Sequence, residues 1–299
     1  MQLSVPEQSD DCGRWVVSDG SRDLLHATVD QLPDASLALL DIEQQPGLTA
    51  VVAADAATLL LNRAIALGQE RQLRFLRFLN WHSVSPLPET VLNETGFDAA
   101  THIHQWACSA KVRAQRPTGT ATIRRLRLNP AAGKSAATAM IVHAALSVAD
   151  YQQLIKLVNA CLRDSGDLTS LPTADPNCLV RTWQSLDGTV DLLLAESGGQ
   201  DVGIAVVSSG GPGETSTLEY LAIVPEHRRR GHAAQLLAQV CEHLSRSASV
   251  LPSDEQTGQA GRNPSLVTYC DEQNHAAAAL YQKNSFVCVQ RATLWIRRI

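Results

Sequence analysis

The feature that most constrains the fold is a β-like run, an arginine-rich turn and an amphipathic helix that follow one another between residues 217 and 244. Residues 217–224 form the apolar run, which ends at Pro225. The helix then shows apolar residues at helical spacing, namely Ala233, Leu236, Leu237, Val240, Cys241 and Leu244. Because a helix N-terminus carries unpaired N–H groups and a partial positive charge, this turn is predicted to bind an anion such as a pyrophosphate.

The residues of the turn support that prediction. Gly231 lets a phosphate approach the backbone, and Ala233 keeps the start of the helix narrow. The arginines add positive charge, whereas His227 and His232 are interpreted as surface or phosphate-adjacent residues. The predicted anion-binding residues are Arg228, Arg229, Arg230, Gly231, His232, Ala233 and Ala234.

The remaining signals in the second half predict a mixed α/β fold, an α+β arrangement with one mixed central sheet. A capping-box-like start at 147–150 predicts a helix, and 210–213 and 249–264 are predicted as a turn and a long polar loop. The other predicted elements are strands at 190–195, 202–207 and 266–270, a helix over His275–Lys283 and terminal strands over 286–299.

The first half contains a fainter copy of this order. Residues 55–61 resemble residues 231–237, which lie 176 positions further on. Two aromatic pairs, each nine residues apart, correspond at an offset of 189: Phe97 with Trp106, and Phe286 with Trp295. The offsets differ by 13, close to the length of the polar loop. The interpretation is an internal duplication, with chance similarity as the alternative, and with domains at 1–130 and 138–299 joined after a turn or hairpin near 109–120.

The turn and its helix resemble the GNAT superfamily of N-acetyltransferases. The family's pyrophosphate motif, Arg or Gln, two residues, Gly, one residue, Gly or Ala, is matched by Arg228, Gly231 and Ala233. A second family segment, Asn…Ala…Leu-Tyr-x-x-x-Gly-Phe, resembles residues 274–286. Here Ser285 replaces the glycine, at a position that often needs a left-handed backbone. The resemblance spans roughly 138–299.

The resemblance implies a GNAT-like acyl-CoA N-acyltransferase fold in two tandem copies, with acetyl-CoA between two splayed central strands. It implies that the backbone of Leu221, Ala222 and Ile223 pairs with the pantetheine arm like an added strand. Arg228 to Ala234 would hold the pyrophosphate, and Asn274 would support the cofactor near the second strand. No metal is implied.

Two side chains are candidates for moving protons during such a transfer. Tyr281 matches the family tyrosine that protonates the departing thiolate; the alternative is a tyrosine that only packs at a helix end. Glu219 lies where some relatives hold a general base; the alternative is a solvated or merely acceptor-binding carboxylate. Both readings remain open for each residue.

The N-terminal copy departs from the family pattern at the same positions. Val52 corresponds to Arg228, Asp55 to Gly231 and Leu92 to the tyrosine. A carboxylate at the start of the helix would repel a pyrophosphate. The predicted N-terminal domain is therefore a degenerate GNAT-like domain that has lost the cofactor site.

Composition limits the class of function. With 44% apolar and 18% charged residues, the chain is typical of a globular protein, and its net charge of −5 argues against a nucleic-acid binder. No signal peptide or membrane span is recognised, and the seven scattered cysteines favour reduced thiols in a cytoplasmic protein without a zinc site.

The predicted function is transfer of an acetyl group from acetyl-CoA to a small-molecule amine or a protein amine within a ternary complex. The alternative is a CoA-binding regulatory or scaffolding module without catalysis. Neither nucleic acid nor membrane is expected as a partner, and the sequence leaves the acceptor and the oligomeric state open.

Overall fold

The computed structural model describes residues 1–4, 13–32, 34–83, 87–109, 120–129, 147–163, 165, 175–186, 188–210, 215–248 and 265–299. The predicted loop at 249–264, and nearly all of the turns predicted at 109–120 and 210–213, lie outside these residues. The chain divides into two compact units. Unit 1 comprises Met1–His104 with Gln290–Ile299, and unit 2 comprises Gln105–Val289. The predicted division at 130–138 stays a prediction about where one sequence copy ends.

Unit 1 is built on an antiparallel run of strands that continues into one parallel pair. Strands β1 to β4 pair in order, and β4 pairs with β5 in parallel. Strand β5 pairs with Ala292–Arg298, which lie in the part of β12 (Val287–Arg298) that belongs to unit 1. Helix α1 packs its alanine- and leucine-rich face into the core of this unit. The elements are β1 (Gln2–Ser4), β2 (Gly13–Ser18), β3 (Asp23–Leu32), β4 (Ser36–Gln44), α1 (Ala50–Glu70), β5 (Phe75–Trp81), α2 (Glu89–Glu94) and the first part of β6 (Asp98–Ser109).

Unit 2 has a mixed sheet in the order β11-β10-β9-β8-β7, with the end of β6 beside β11. The β10–β11 pair is parallel, and the pairs from β10 through β7 are antiparallel. The predicted mixed α/β class is confirmed. The further elements are β7 (Thr122–Asn129), α3 (Val148–Leu162), α4 (Pro176–Ser185), β8 (Thr189–Ser197), β9 (Gln200–Ser209), β10 (Ser216–Ile223), α5 (His232–Ala248), β11 (Ser265–Asp271), α6 (His275–Lys283) and β12 (Val287–Arg298).

Alternation along the strands of unit 2 creates two apolar faces. On β9, Ala205 and Val207 pack with α5 and α6, whereas Ile204 and Val206 pack with α3 and α4. Helix α3 begins where its capping box predicts, because the Ser147 hydroxyl accepts a hydrogen bond from the backbone N–H of Asp150. The helices therefore cover both faces of the sheet, and the ends of β10 and β11 lie between them.

The predicted duplication is visible in the order of elements. The series β2-β3-β4-α1-β5-α2-β6 repeats as β8-β9-β10-α5-β11-α6-β12. Gly96 and Ser285, 189 residues apart, both adopt left-handed backbone, with φ of 77° and 64°. The N–H of Phe97 donates to Leu92, as that of Phe286 donates to Tyr281. Two tandem copies of one fold are confirmed.

The start of α1 corrects two expectations. Asp55 was predicted at the start of this helix, but α1 begins at Ala50 with Thr49 as its N-cap, so the carboxylate lies in the second turn. The sequence also predicts no membrane span, yet α1 is long and apolar enough to cross a membrane by length and composition. Its buried residues, which include Ala57, Leu60 and Leu61, explain this apolar character as core packing.

Candidate active site

A fork between β10 and β11 forms the centre of the candidate site. These strands pair in parallel only where Ser216–Leu218 meet Leu266–Thr268. Strand β10 continues to Ile223 and β11 to Asp271, so their ends run on beyond the last pair. A β-bulge between Leu218 and Tyr220 begins at the same place. Bulges bend a strand and increase its twist, which accounts for the separation.

The far side of β10 keeps its pairing along the fork. Leu221 pairs with Ala205, Ala222 with Ile204 and Ile223 with Gly203 of β9. A strand that pairs on one edge directs alternate N–H and C=O groups to its other edge. The edge of β10 that faces the fork can therefore bind an extended ligand as if the ligand were a further strand.

The turn between β10 and α5 takes its shape from two left-handed residues. Arg229 has φ of 60° and Gly231 has φ of 82°, and a short 3-10 turn at Pro225–His227 precedes them. Left-handed backbone costs glycine little, whereas it costs an arginine more. The turn thus connects the end of β10 to the first residue of α5 through only eight intervening residues, 224–231.

The guanidinium of Arg228 donates hydrogen bonds to three backbone carbonyls. Its Nε donates to Ile223 at 3.0 Å, and its Nη2 donates to Arg163 at 2.8 Å and to Cys161 at 3.2 Å. These bonds tie the end of α3 to the end of β10. The side chain of Arg228, expected to contact a pyrophosphate, thus has a bracing role, and the exposed Arg229 and Arg230 supply the charge at the surface of the turn.

The N-terminus of α5 presents backbone donors next to this turn. The first intrahelical bond runs from the N–H of Gln235 to the carbonyl of Gly231 at 3.0 Å. The N–H groups of His232, Ala233 and Ala234 precede that bond and have no helical acceptor. Unpaired N–H groups and the dipole at a helix N-terminus favour an anion such as a phosphate group at this position.

Two histidines lie beside these donors. The rings of His227 and His232 are 6.3 Å apart. His232 is only 4% exposed, so the expectation that it is a surface residue is wrong: its ring is buried beside the turn. Burial, followed by the nearby charges of His227 and Arg230, lowers the pKa of His232. Within the part of the chain that the structure describes, the Nδ1 atoms of both rings are buried without a hydrogen-bond partner.

Tyr281 lies where the fork opens. Its ring is 5% exposed and packs against Trp106 and Phe286, with centroids 6.2 and 5.3 Å away. Its phenol oxygen is 3.4 Å from the hydroxyl of Thr268, which itself donates to the carbonyl of Leu218 at the last paired position. The structure therefore places this phenol at the apex of the fork.

The side chain of Asn274 caps the N-terminus of α6. Its Oδ1 accepts the N–H of Ala277 at 3.0 Å, which makes Asn274 the N-cap of α6. An N-cap of this kind satisfies one of the free donors in the first helical turn. The side chain thus orients α6, the helix that carries Tyr281, and supports the site through that helix.

Glu219 lies at the bulge, on the opposite side of β10 from the neighbouring core residue Leu218. Its carboxylate accepts a hydrogen bond from the hydroxyl of Ser208 on β9. Burial raises the pKa of Glu219, and the bond from Ser208 offsets part of this rise. A half-buried carboxylate whose pKa is raised is a stronger base than an ordinary carboxylate, which suits it to accept a proton.

The sequence-based prediction missed three residues: Ser208, which bonds to Glu219, Tyr269 on the neighbouring strand, and Gln105, which bonds to Tyr269. Burial raises the pKa of Tyr269 and the hydrogen bond from Gln105 lowers it, while the charge of Glu219 raises it further. The Gln105 Nε2 donates to the Tyr269 oxygen at 3.0 Å. Period-2 alternation could have marked Tyr269 as facing away from the core residues Thr268 and Cys270, but only the strand order brings it to Glu219.

The described residues contain no group of three or more histidine, cysteine, aspartate or glutamate side chains that could hold a metal ion.

Comparisons with known proteins agree with this geometry. Residues 189–288 match the model of the acetyltransferase (GNAT) domain. A GCN5-related N-acetyltransferase from Sphaerobacter thermophilus has a similar structure, with a TM-score of 0.64, 15% identity and coverage of 96% of this chain and 80% of the other. No curated protein matches the chain by sequence.

Two further structures resemble the whole chain. A tandem GNAT protein from the clavulanic acid biosynthesis pathway gives a TM-score of 0.59 at 13% identity, covering 95% of this chain and 82% of the other. A conserved protein of unknown function from Staphylococcus epidermidis gives 0.58 at 12% identity, covering 95% and 94%. Residues 189–288 therefore match the GNAT domain, and the chain has the GNAT fold in two tandem copies.

Proposed function

We propose that this protein is an N-acetyltransferase that moves the acetyl group of acetyl-CoA to an amine by direct attack within a ternary complex. One observation carries the proposal. The open edge of β10 and the free amides at the start of α5 are consecutive in the chain, joined by the turn from Val224 to Gly231. A ligand with an extended, amide-bearing arm and a diphosphate needs these two surfaces in this order.

Acetyl-CoA has that shape. Its pantetheine arm can pair with the backbone of Leu221, Ala222 and Ile223, and its pyrophosphate can accept from the N–H groups of His232, Ala233 and Ala234. Arg229 and Arg230 favour the same anion by charge. When bound, acetyl-CoA supplies an acetyl thioester, which an amine can attack without a metal.

The residues at the fork divide the proton transfers between them. The acceptor nitrogen must lose a proton before or during attack, and Glu219 is the carboxylate at the bulge that can accept it, directly or through one water. As the nitrogen–carbon bond forms, the carbon–sulfur bond breaks and its electrons remain on sulfur. Tyr281 then donates its phenol proton to that sulfur, and proton exchange with solvent restores both groups.

The alternative of a CoA-binding module without catalysis would gain support if Ser285, in place of the family's glycine, distorted the turn that orients Tyr281. Ser285 adopts the left-handed backbone with φ of 64°, and the neighbouring N–H of Phe286 still bonds to Tyr281 at 3.0 Å. The turn that orients Tyr281 is therefore intact with serine in it.

Two measurements test the proposal together. Calorimetric titration of the protein with CoA is expected to give saturable binding, and incubation with acetyl-CoA and a panel of amines is expected to release free thiol. Binding without thiol release from any amine would support the non-catalytic module. No binding of CoA would overturn both.

A further inference from the structure

We propose that Glu219, Tyr269 and Gln105 form the acceptor subsite, and that the subsite selects a cationic amine with no carboxylate next to the amino group. This inference rests on the function proposed above and adds the substrate class. Its elements are Glu219 on β10, Tyr269 on β11 and Gln105 at the end of β6, all within unit 2.

Glu219 is a half-buried carboxylate, and none of the described residues forms an ion pair with it. Its one hydrogen bond among the described residues comes from the neutral hydroxyl of Ser208, and no ion pair reaches it there. The nearby arginines that form ion pairs do so elsewhere: Arg124 with Asp201, Arg125 and Arg127 with Asp191, and Arg163 with Glu226. A buried charge without a partner is costly, so the site favours a ligand that brings a positive charge.

Tyr269 places an aromatic ring on the strand next to this carboxylate. It is 41% exposed although it lies on an interior strand, and Gln105 holds its phenol oxygen at 3.0 Å. Glu219 and Tyr269 directly follow Leu218 and Thr268, the last residues that pair between β10 and β11, so they are neighbours where the fork begins. The charge of Glu219 accordingly contributes to the raised pKa of Tyr269. An ammonium group between a carboxylate and an aromatic ring gains both an ion pair and a cation–π contact.

The negative charge of Glu219 also repels a ligand that carries a carboxylate of its own. In an α-amino acid the carboxylate is two bonds from the amino nitrogen, so binding its ammonium to Glu219 brings two carboxylates within several ångströms of each other. Repulsion between like charges at such separations corresponds to a weakening of roughly 100-fold at an effective dielectric constant of about 20. An amine that differs only by loss of that carboxylate avoids the repulsion.

The test uses matched pairs: 2-phenylethylamine with phenylalanine, cadaverine with lysine, and agmatine with arginine. Each ligand is titrated by calorimetry into the protein saturated with CoA, so the readout does not depend on turnover. We expect at least one amine to bind, and every amine that binds to do so roughly 100-fold more tightly than its parent amino acid. Equal or tighter binding of the amino acids, or no binding of any amine, would overturn the proposal.

Variants identify the residues responsible. Glu219→Gln keeps the shape and removes the charge, so the preference for the amine over the amino acid should fall to less than about fivefold. Tyr269→Leu removes the ring and should weaken amine binding about tenfold. Tyr151→Phe, a change on α3 outside the subsite, is the control and should leave the Kd unchanged. A preference that survives Glu219→Gln would contradict the assignment.

The result separates this inference from the proposed function. If CoA binds and thiol is released but the amines show no preference over the amino acids, the acceptor subsite is wrong and the transferase is retained. If CoA does not bind, the proposed transferase function is wrong. The amines are then titrated into the protein alone, and if they bind no more tightly than their parent amino acids, the acceptor subsite is wrong as well.

Discussion

The hydroxyl of Thr268 lies 3.4 Å from the phenol oxygen of Tyr281 and donates at 3.0 Å to the carbonyl of Leu218. Leu218 and Thr268 are the last residues that β10 and β11 pair. The phenol is therefore linked, through one hydroxyl, to the point where the two strands separate. A thioester bound along β10 would have its sulfur near this point.

If Tyr281 donates the proton to the leaving sulfur, Tyr281→Phe should lower kcat by roughly 10²- to 10⁴-fold. The ring keeps its packing against Trp106 and Phe286, so the Kd for CoA should change little. Steady-state thiol release and calorimetry measure the two quantities. Unchanged turnover would leave Tyr281 with a packing role alone.

Glu219→Gln should remove the acid limb of the pH profile of kcat/KM. In the wild-type enzyme this limb should lie above the ordinary glutamate pKa, because burial raises the pKa of Glu219 and the protonated acid cannot accept a proton. Rates measured from pH 5 to 9 on both proteins test this. A limb that persists in the variant would assign the base to another group.

The same substitution has an expected effect on stability, with a definite sign. Because the folded pKa of Glu219 is raised, the native state holds its proton more tightly than the unfolded state does. Stability linked to this group is therefore present below the ordinary pKa and is lost as pH rises through the folded value. Denaturant unfolding at pH 7 should show Glu219→Gln to be at least as stable as the wild type.

Gly231→Glu should weaken CoA binding by placing a carboxylate beside the first amides of α5, where it opposes a pyrophosphate. Gly231→Ala is the matched control, because it shares the cost of a side chain at φ of 82° but adds no charge. We expect the glutamate variant to bind CoA at least tenfold more weakly than the alanine variant in low salt. Equal affinities would remove the helix N-terminus from the cofactor site.

The alternation and spacing of residues 190–286 are sufficient to predict most of the elements of unit 2, including α6 at His275–Lys283. The motif at Arg228 to Ala233 also predicts a strand, turn and helix. The motif does not predict that the guanidinium of Arg228 binds backbone carbonyls, because two of these carbonyls belong to Cys161 and Arg163, more than sixty residues away in the sequence. Long-range contacts of this kind depend on packing that a local pattern does not encode.

The N-terminal copy shows a second feature that the sequence pattern does not predict, namely where a helix begins. The offset of 176 aligns apolar positions within α1 and α5, yet α1 begins at Ala50, six residues before the position aligned with the start of α5. Helical periodicity reports which residues face the core and says little about where the helix starts. Tyr269 was missed for a related reason, since the register between β10 and β11 is what brings it to Glu219.

Arg228 is expected to stabilise the fold more than it contributes charge to the cofactor. Arg228→Gln loses charged hydrogen bonds to the carbonyls of Ile223, Cys161 and Arg163, and should lower the free energy of unfolding by about 1–3 kcal/mol. Arg229→Gln is the control: this side chain is exposed, so stability should stay within about 0.5 kcal/mol. Urea unfolding measures both. Equal stability of the two variants would argue against the bracing role.

Asp191 should be the carboxylate whose loss costs unit 2 most. It is 5% exposed and bonds to Arg125, Arg127 and His243, at 2.7, 3.1 and 3.1 Å. Burial opposes its ionisation, but the bonds from His243, Arg125 and Arg127 outweigh burial and lower the pKa of Asp191. Asp191→Asn breaks this cluster and should cost about 2–4 kcal/mol at pH 7, somewhat less than a fully buried pair because the arginines are partly exposed.

The pH dependence identifies the cause of that loss. A lowered folded pKa gives stability that is fully present above the ordinary aspartate value of about 4 and is lost as pH falls towards the folded value. The difference in unfolding free energy between wild type and Asp191→Asn should therefore be constant from pH 5 to 7 and shrink below pH 4. Glu242→Gln, which breaks the exposed pair with Arg246, should show almost no difference at pH 7. A difference for Asp191→Asn that persists unchanged at pH 3 would mean that packing, and not charge, holds β7 to β8.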